Sequence, residues 1–177
     1  MKKNVIIYGL ISGLILTAFL IYTITACYKN ENFQGSLIVG YAAMLAALIT
    51  IFIAIKKIRD QEYDGIISFG KAFTIGLYIT LVASTIYVVV WLIGYYLFVP
   101  DFMDKYTAHE LNGLKRDHAT EAEIQRKTAE MAGYKEMYKN PAYIVLFTYL
   151  EVLPIGLLVS LVSAWILKKK ALSSSAF

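Results

Sequence analysis

The chain has 177 residues, 58% of them apolar and 17% charged, with a mean hydropathy of +0.58. Soluble domains carry about a quarter charged residues. The composition, with charges gathered outside the apolar runs, excludes an ordinary soluble domain and marks a membrane protein. The net charge of +4 comes mostly from lysines beside apolar runs, which is a topology signal and not a nucleic-acid surface. A single cysteine, Cys27, excludes an intrachain disulfide and a cysteine-rich metal site.

The first apolar run covers about residues 5–28, after Lys2 and Lys3. Gly9 and Gly13 form a G-x-x-x-G pair that allows close approach of another helix. Two other readings of this run stay open. It is longer than the ~7–15 apolar residues of a signal peptide and no A-x-A site follows. Ile24-Thr25-Ala26-Cys27 resembles a relaxed lipobox, which would make Cys27 a lipidated N-terminus; the alternative is a small apolar residue ending a spanning helix.

A polar link, 29–35, leads to the second run, 36–55, which has the length a span needs. Gly40, Ala43, Ala47, Thr50 and Ala54 recur at spacings of three and four, a packing stripe on one helix face. Lys56, Lys57 and Arg59 follow as a basic cluster, and Asp64-Gly65 predicts a turn. Lys71 enters just inside the third run. Either it snorkels to the headgroups or it holds an anion together with the Gly70 backbone.

The third run, 72–99, is long enough to tilt in a hydrocarbon core about 30 Å thick. Gly76, Thr80, Ala83, Tyr87, Trp91 and Gly94 line one face, small at one end and aromatic at the other. Residues 101–140 are polar, with seven Lys/Arg and eight Asp/Glu. Two helices are predicted there, about 101–114 and 120–138. Phe102, Tyr106 and His109 share one side of the first. Thr120 and Glu123 form a capping box at the start of the second, which carries a stripe of Ile124, Met131, Tyr134 and Tyr138. Glu123 and Lys127 are spaced for an i,i+4 ion pair. His109 and His118 are surface residues, because a zinc site needs more ligands than this segment supplies.

The fourth run, 142–167, follows an Asn140 cap with Pro141 in the first turn. Glu151 sits about ten residues in. An ionised carboxylate at that depth costs roughly 2.5–3.5 kcal/mol, and no Lys or Arg matches its depth in another span. Protonation, a hydrogen bond or a water-filled cavity must offset that cost. Tyr87 and Trp91 are the depth-matched donors. Pro154 removes a backbone donor and predicts a kink. Gly156, Ser160 and Ala164 point away from Glu151 on an ideal helix. Unless the kink shifts that phase, the fourth span has two buried faces, one for the bundle and one for a partner subunit or a cavity, which motivates a homodimer.

Three segments, ISFGKAFTIGL at 67–77, YYLFVPDF at 95–102 and EVLPIGLLVSLVSAWILKKK at 151–170, together resemble an uncharacterised family of small bacterial integral membrane proteins classed as a domain of unknown function. Phe69, Gly70, Lys71, Glu151, Pro154 and Gly156 carry the resemblance, which covers nearly the whole chain. It implies four transmembrane helices and a bacterial inner membrane, and supplies no activity, substrate or catalytic residue.

The fold class expected is therefore an all-α membrane protein. It has four transmembrane helices with a helical extramembrane insertion at 101–140 between the third and fourth, within one integral membrane domain over 1–177. Lysines at both termini and in 56–71 place these on the cytoplasmic side, and 101–140 outside. Tyr22, Tyr28, Tyr41, Tyr95, Tyr96, Tyr143 and Tyr149 form the outer aromatic belt, and Trp165 marks the inner end.

The functional candidates are Glu151, Pro154, Lys71, Tyr87 and Trp91. The packing candidates are Gly9, Gly13, Gly40, Ala47, Gly76, Thr80, Gly156 and Ser160. No catalytic residue, metal site or cofactor is expected, since H-E-x-x-H, G-x-S-x-G and paired acids are missing from the spans. The partners expected are the lipid bilayer, a second copy or another membrane protein, and no nucleic acid. A non-enzymatic accessory or interaction role leads. A small oligomeric permease using Glu151, with Lys71 as an inner anion contact, is the alternative, and a lipid-acting enzyme stands third.

Overall fold

The structure, a computed structural model, describes residues 2–30 and 37–169. These form seven helices: α1 (Lys2–Asn30), α2 (Leu37–Leu48), α3 (Thr50–Glu62), α4 (Phe69–Leu97), α5 (Phe102–Arg116), α6 (Glu121–Met137) and α7 (Pro141–Leu167). No strand occurs among the described residues. Four stretches are long and apolar enough to cross a membrane: Lys2–Lys29, Val39–Glu62, Phe69–Leu97 and Pro141–Leu167. Ser36, the predicted start of the second span, and most of the 29–35 link lie outside the described residues, as does Lys170.

The second apolar run differs from its expected bounds. Its helix does not stop at Ile55 but continues to Glu62, so Lys56, Lys57 and Arg59 stand on the last turns of α3 and not in a loop. Ile55 and Ile58 are fully buried on the inward side, which extends the apolar stripe through the basic stretch. The third run also shifts. Ser68 caps α4, so the helix opens at Phe69, and its C-terminal cap at Phe98 ends it before Val99. Between α2 and α3 the helix is interrupted at Ile49, although the bonds from Ile49 to Leu45 and from Ile53 to Ile49 persist. There the Thr50 hydroxyl donates to the Ala47 carbonyl at 2.8 Å and meets the Ser12 hydroxyl of α1. Back-bonding of this kind loosens a helix locally.

The Asp64-Gly65 turn is present, with φ of 48° and 75° at its two residues. Aspartate and glycine are among the residues that tolerate this left-handed backbone.

Helix α4 is the centre of the bundle and packs most extensively against α7 and α1. The helices α1 and α7 lie across from each other, with α4 on one side and α2–α3 on the other. Close packing follows from small residues. A Cβ built on Gly9 would lie 2.6 Å from Val82, and one on Gly13 2.7 Å from Ile86, so α1 rides directly on α4. Gly76, Thr80, Gly156 and Ser160 form the equivalent knot between α4 and α7. Thr80 Oγ1 and Ser160 Oγ are 3.3 Å apart, and Ser160 also donates to the Gly156 carbonyl at 2.7 Å. Ala47 is buried, as the stripe predicts. Gly40 is not part of a tight crossing: a Cβ there meets nothing within 4 Å. It borders an open space instead, because the packed residues of α2 are Met44, Ala47 and Leu48, nearer the middle of the bundle.

The basic residues collect at one end. Arg59 donates to the Leu167 carbonyl at 3.4 Å, and the Lys169 backbone bonds to Ile67 at 2.9 Å. Lys57 lies over the Tyr8 ring, and Asn4 donates to Glu62. At the opposite end α5 and α6 form a polar hairpin. Lys127 reaches Glu110 and Glu130 at 3.6 and 3.3 Å, and Lys135 pairs with Asp104. The expected Glu123–Lys127 pair is replaced by these contacts. The Glu123 carboxylate is committed to the capping box, accepting from the Thr120 backbone and hydroxyl at 2.8 Å each. Those bonds hold Glu123 below the usual carboxylate range. Thr120→Ala is expected to speed amide exchange in the first turn of α6 about fivefold, measured by hydrogen–deuterium exchange.

Asp101 anchors the hairpin to α1. It accepts from Tyr28 Oη at 2.8 Å and pairs with Lys105 at 3.0 Å, while Lys105 Nζ stands 4.1 Å from the Tyr28 ring centre. The Tyr28 bond, then the Lys105 bond, holds the Asp101 carboxyl below its ordinary value. A depressed carboxyl favours the fold above the unfolded pKa of about 3.9 and loses that contribution as pH falls through the folded value. Tyr28→Phe should move the Asp101 titration upward toward the ordinary value, read by carboxyl NMR.

Candidate functional site

The tight knot occupies one side of α7, and Glu151 stands on another, where the helices meet less closely. Residues Val152, Gly156, Ser160 and Ala164 are buried, whereas Glu151 is exposed. The exposure leads into a cavity of about 290 Å³ in the bundle half nearest the polar hairpin. Leu16, Phe19, Leu20, Thr23 and Ile24 of α1 line it, with Gly40 and Met44 of α2. Tyr87 and Trp91 of α4, Phe102 of α5, and Phe147, Thr148 and Glu151 of α7 complete it with Tyr138, the residue after α6. A span that packs by small residues at one end and bulky rings at the other leaves such a space where the rings hold the helices apart.

Tyr87 Oη donates to Glu151 Oε1 at 3.5 Å, a long contact that leaves the carboxyl with spare hydrogen-bonding capacity. The Thr148 hydroxyl is turned to its own helix, donating to the Ile144 carbonyl at 2.7 Å. Among the described residues the lining holds no Lys, Arg or His. Tyr138 is a neutral donor at physiological pH. Burial pushes its phenol up to about 12, and the negative charge of Glu151 adds to the shift.

The aromatic residues brace one another. Trp91 meets Phe102 edge-on at 5.1 Å between ring centres, and Tyr138 lies nearly parallel to Phe147 at 6.2 Å. Through these contacts the hairpin base forms one wall of the cavity.

The other candidates are placed differently. Lys71 lies in the first turn of α4, at the basic end, with Nζ 4.3 Å from the Tyr63 ring centre. Nothing lies within 4 Å of a Cβ built on Gly70. Lys71 and Glu151 therefore belong to opposite halves of the bundle and do not form one site. Pro154 lies inside α7, which continues unbroken through it to Leu167. Trp91 shares the cavity with Glu151 but packs on rings, and Tyr87 makes the hydrogen bond. No group of three or more His, Cys, Asp or Glu able to hold a metal occurs among the described residues.

Over residues 7–169 the chain matches the family described as protein of unknown function, DUF4199. The chain belongs to that family. No curated protein and no solved structure matches it. The DUF4199 region takes in every residue of the Glu151 cavity, together with Lys71 and both small-residue knots. With its four long apolar helices, this DUF4199 member is a multi-pass membrane protein.

Phe147 and Met44 are among the lining residues that the sequence does not single out, with Leu16, Phe19, Leu20, Thr23 and Thr148. Phe147 had a usable signal, since it precedes Glu151 by four positions and so shares its helix face. Met44 had none, because an apolar residue on an apolar helix shows nothing of which neighbour it meets.

Proposed function

We propose that this protein crosses a bacterial inner membrane four times, with both termini cytoplasmic and the α5–α6 hairpin external, and that its working element is the Glu151 cavity. The cavity binds a small ligand in exchange for a proton on Glu151, as a small oligomeric permease would. The observation that carries this reading is an intramembrane carboxylate on an open cavity, with Tyr87 as its hydrogen-bond donor and no basic lining residue among those described. A carboxylate retained at such a depth without a cationic partner is costly, and such residues mark ion and substrate pathways. The basic end formed by α3, the start of α4 and the end of α7 supports the orientation. A non-enzymatic accessory role is the second reading. The charged hairpin supports it, with exposed Lys139, Glu136, Lys105 and Asp104 available to a partner.

The test is carbodiimide labelling of Glu151 in native membranes across pH, read by mass spectrometry. The expected result is labelling that falls with rising pH along a one-proton curve and vanishes in Glu151→Gln. Labelling absent at every pH would leave Glu151 sealed in the packing and move the accessory role to first place.

A further inference from the structure

The lining of the cavity narrows its ligand, granted that Glu151 is the working group as proposed above. Six aromatic residues, Phe19, Tyr87, Trp91, Phe102, Tyr138 and Phe147, line the same space as one carboxylate. They come from α1, α4, α5, α7 and the end of α6, and the edge-on Trp91–Phe102 and parallel Tyr138–Phe147 contacts keep those four rings from collapsing into the space. Ring faces carry negative charge density, and they attract cations most when water is excluded. An anion meets no Lys, Arg or His here, and the Glu151 carboxylate and the ring faces repel it. A calcium or magnesium ion needs six or more oxygen ligands, and the side-chain oxygens available are one carboxylate, two phenols and two hydroxyls, one of which is bonded to Ile144. A weakly hydrated organic cation suits both the rings and the charge.

We infer that the cavity binds a small methylated or quaternary ammonium ion, with Glu151 as counter-ion and Trp91, Phe102, Tyr138 and Phe147 as an aromatic cage. The volume of about 290 Å³ fits a headgroup-sized ammonium and not a drug-sized ligand. The carboxyl proton leaves to water as the cation enters, so the net charge of the cavity is conserved. Tyr87 from α4 and Tyr138 after α6 are the titratable groups sharing the lining with Glu151; α1, α2 and α5 contribute none. Ligand and proton therefore compete for one carboxylate, and affinity falls about tenfold per pH unit below its titration point.

The experiment uses choline and its uncharged isostere 3,3-dimethylbutan-1-ol on the purified full chain in lipid nanodiscs. The chain has two tryptophans, and Trp165 is 66% exposed and outside the cavity, so Trp165→Phe leaves Trp91 as the only indole reporter. Choline should change Trp91 emission saturably, and the alcohol should bind at least about tenfold more weakly. Glu151→Gln should weaken choline at least about tenfold, and Phe147→Leu about threefold to tenfold. Equal binding of the two probes, or no saturable change with choline up to about 100 mM, overturns the ammonium assignment. The wild-type comparison of the two probes needs no cavity variant, so a folding defect in one does not blunt the test. Carbodiimide labelling of the same preparation separates the two claims. A titrating label without choline binding defeats the cation assignment alone, whereas a missing label defeats the Glu151 site itself.

Discussion

Gly156→Val will cost the fold about 3 kcal/mol. A Cβ at Gly156 would lie 2.2 Å from Thr80 Cγ2 and 2.8 Å from Thr80 Oγ1. Thr80 cannot yield. It is fully buried, branched at Cβ, and placed against Ser160, whose own Oγ would lie 2.7 Å from a Cβ at Gly76. Helices α4 and α7 would have to separate along their most extensive contact. Alanine at the same position should cost about 1–3 kcal/mol. Gly40→Ala is the contrast, because open space surrounds it; it should be neutral or gain up to about 1 kcal/mol of helix propensity. Reversible unfolding in bicelles, compared across the three variants, checks the order. Equal losses at Gly156 and Gly40 would show that helix propensity dominates and that the knot does not.

Glu151→Leu is expected to act in the opposite direction, raising stability by about 1–2 kcal/mol while abolishing ligand binding and carbodiimide labelling. A carboxylate in a membrane span costs roughly 2.5–3.5 kcal/mol, whereas leucine is favourable there. Access to the cavity offsets part of that cost, and loss of the long Tyr87 contact leaves a phenol short of an acceptor. The net gain is therefore smaller than the transfer scale alone suggests. Under the proposed function, Glu151 would follow the usual trade between function and fold. The same bicelle unfolding assay measures it. A loss of more than about 1 kcal/mol in Glu151→Leu would instead make the carboxyl a structural tie between α7 and α4.

Most of the helices were legible because membrane spans obey one strong local constraint. In hydrocarbon each backbone group must bond within its own segment, so an apolar run of sufficient length is a helix. The caps at Thr120 and Asn140 were legible for a similar reason, as side chains a few positions away satisfy the first free N–H groups. The end of the second span is not legible at Ile55, because Lys56, Lys57 and Arg59 mimic a span end while Ile58 beyond them is fully buried and holds the helix in the bundle. The Glu123–Lys127 pair does not form because the cap and the neighbouring helix compete for both side chains. One carboxylate serves the cap, and Lys127 finds Glu110 on the neighbouring helix.

For the site, the sequence by itself determined that Glu151 is out of place and that Tyr87 and Trp91 stand at its depth. Depth along a span follows from residue number, because each residue advances a helix by a constant 1.5 Å. It also determined that Gly156 and Ser160 turn away from Glu151, since that is a matter of angle around one helix. Only the tertiary structure decided what fills the other side. That Phe102 and Tyr138 close a cavity over Glu151, that Phe147 joins them, and that Lys71 lies in the opposite half depend on how α5 and α6 fold back on the bundle. Such contacts join residues far apart in the chain, and no local periodicity encodes them.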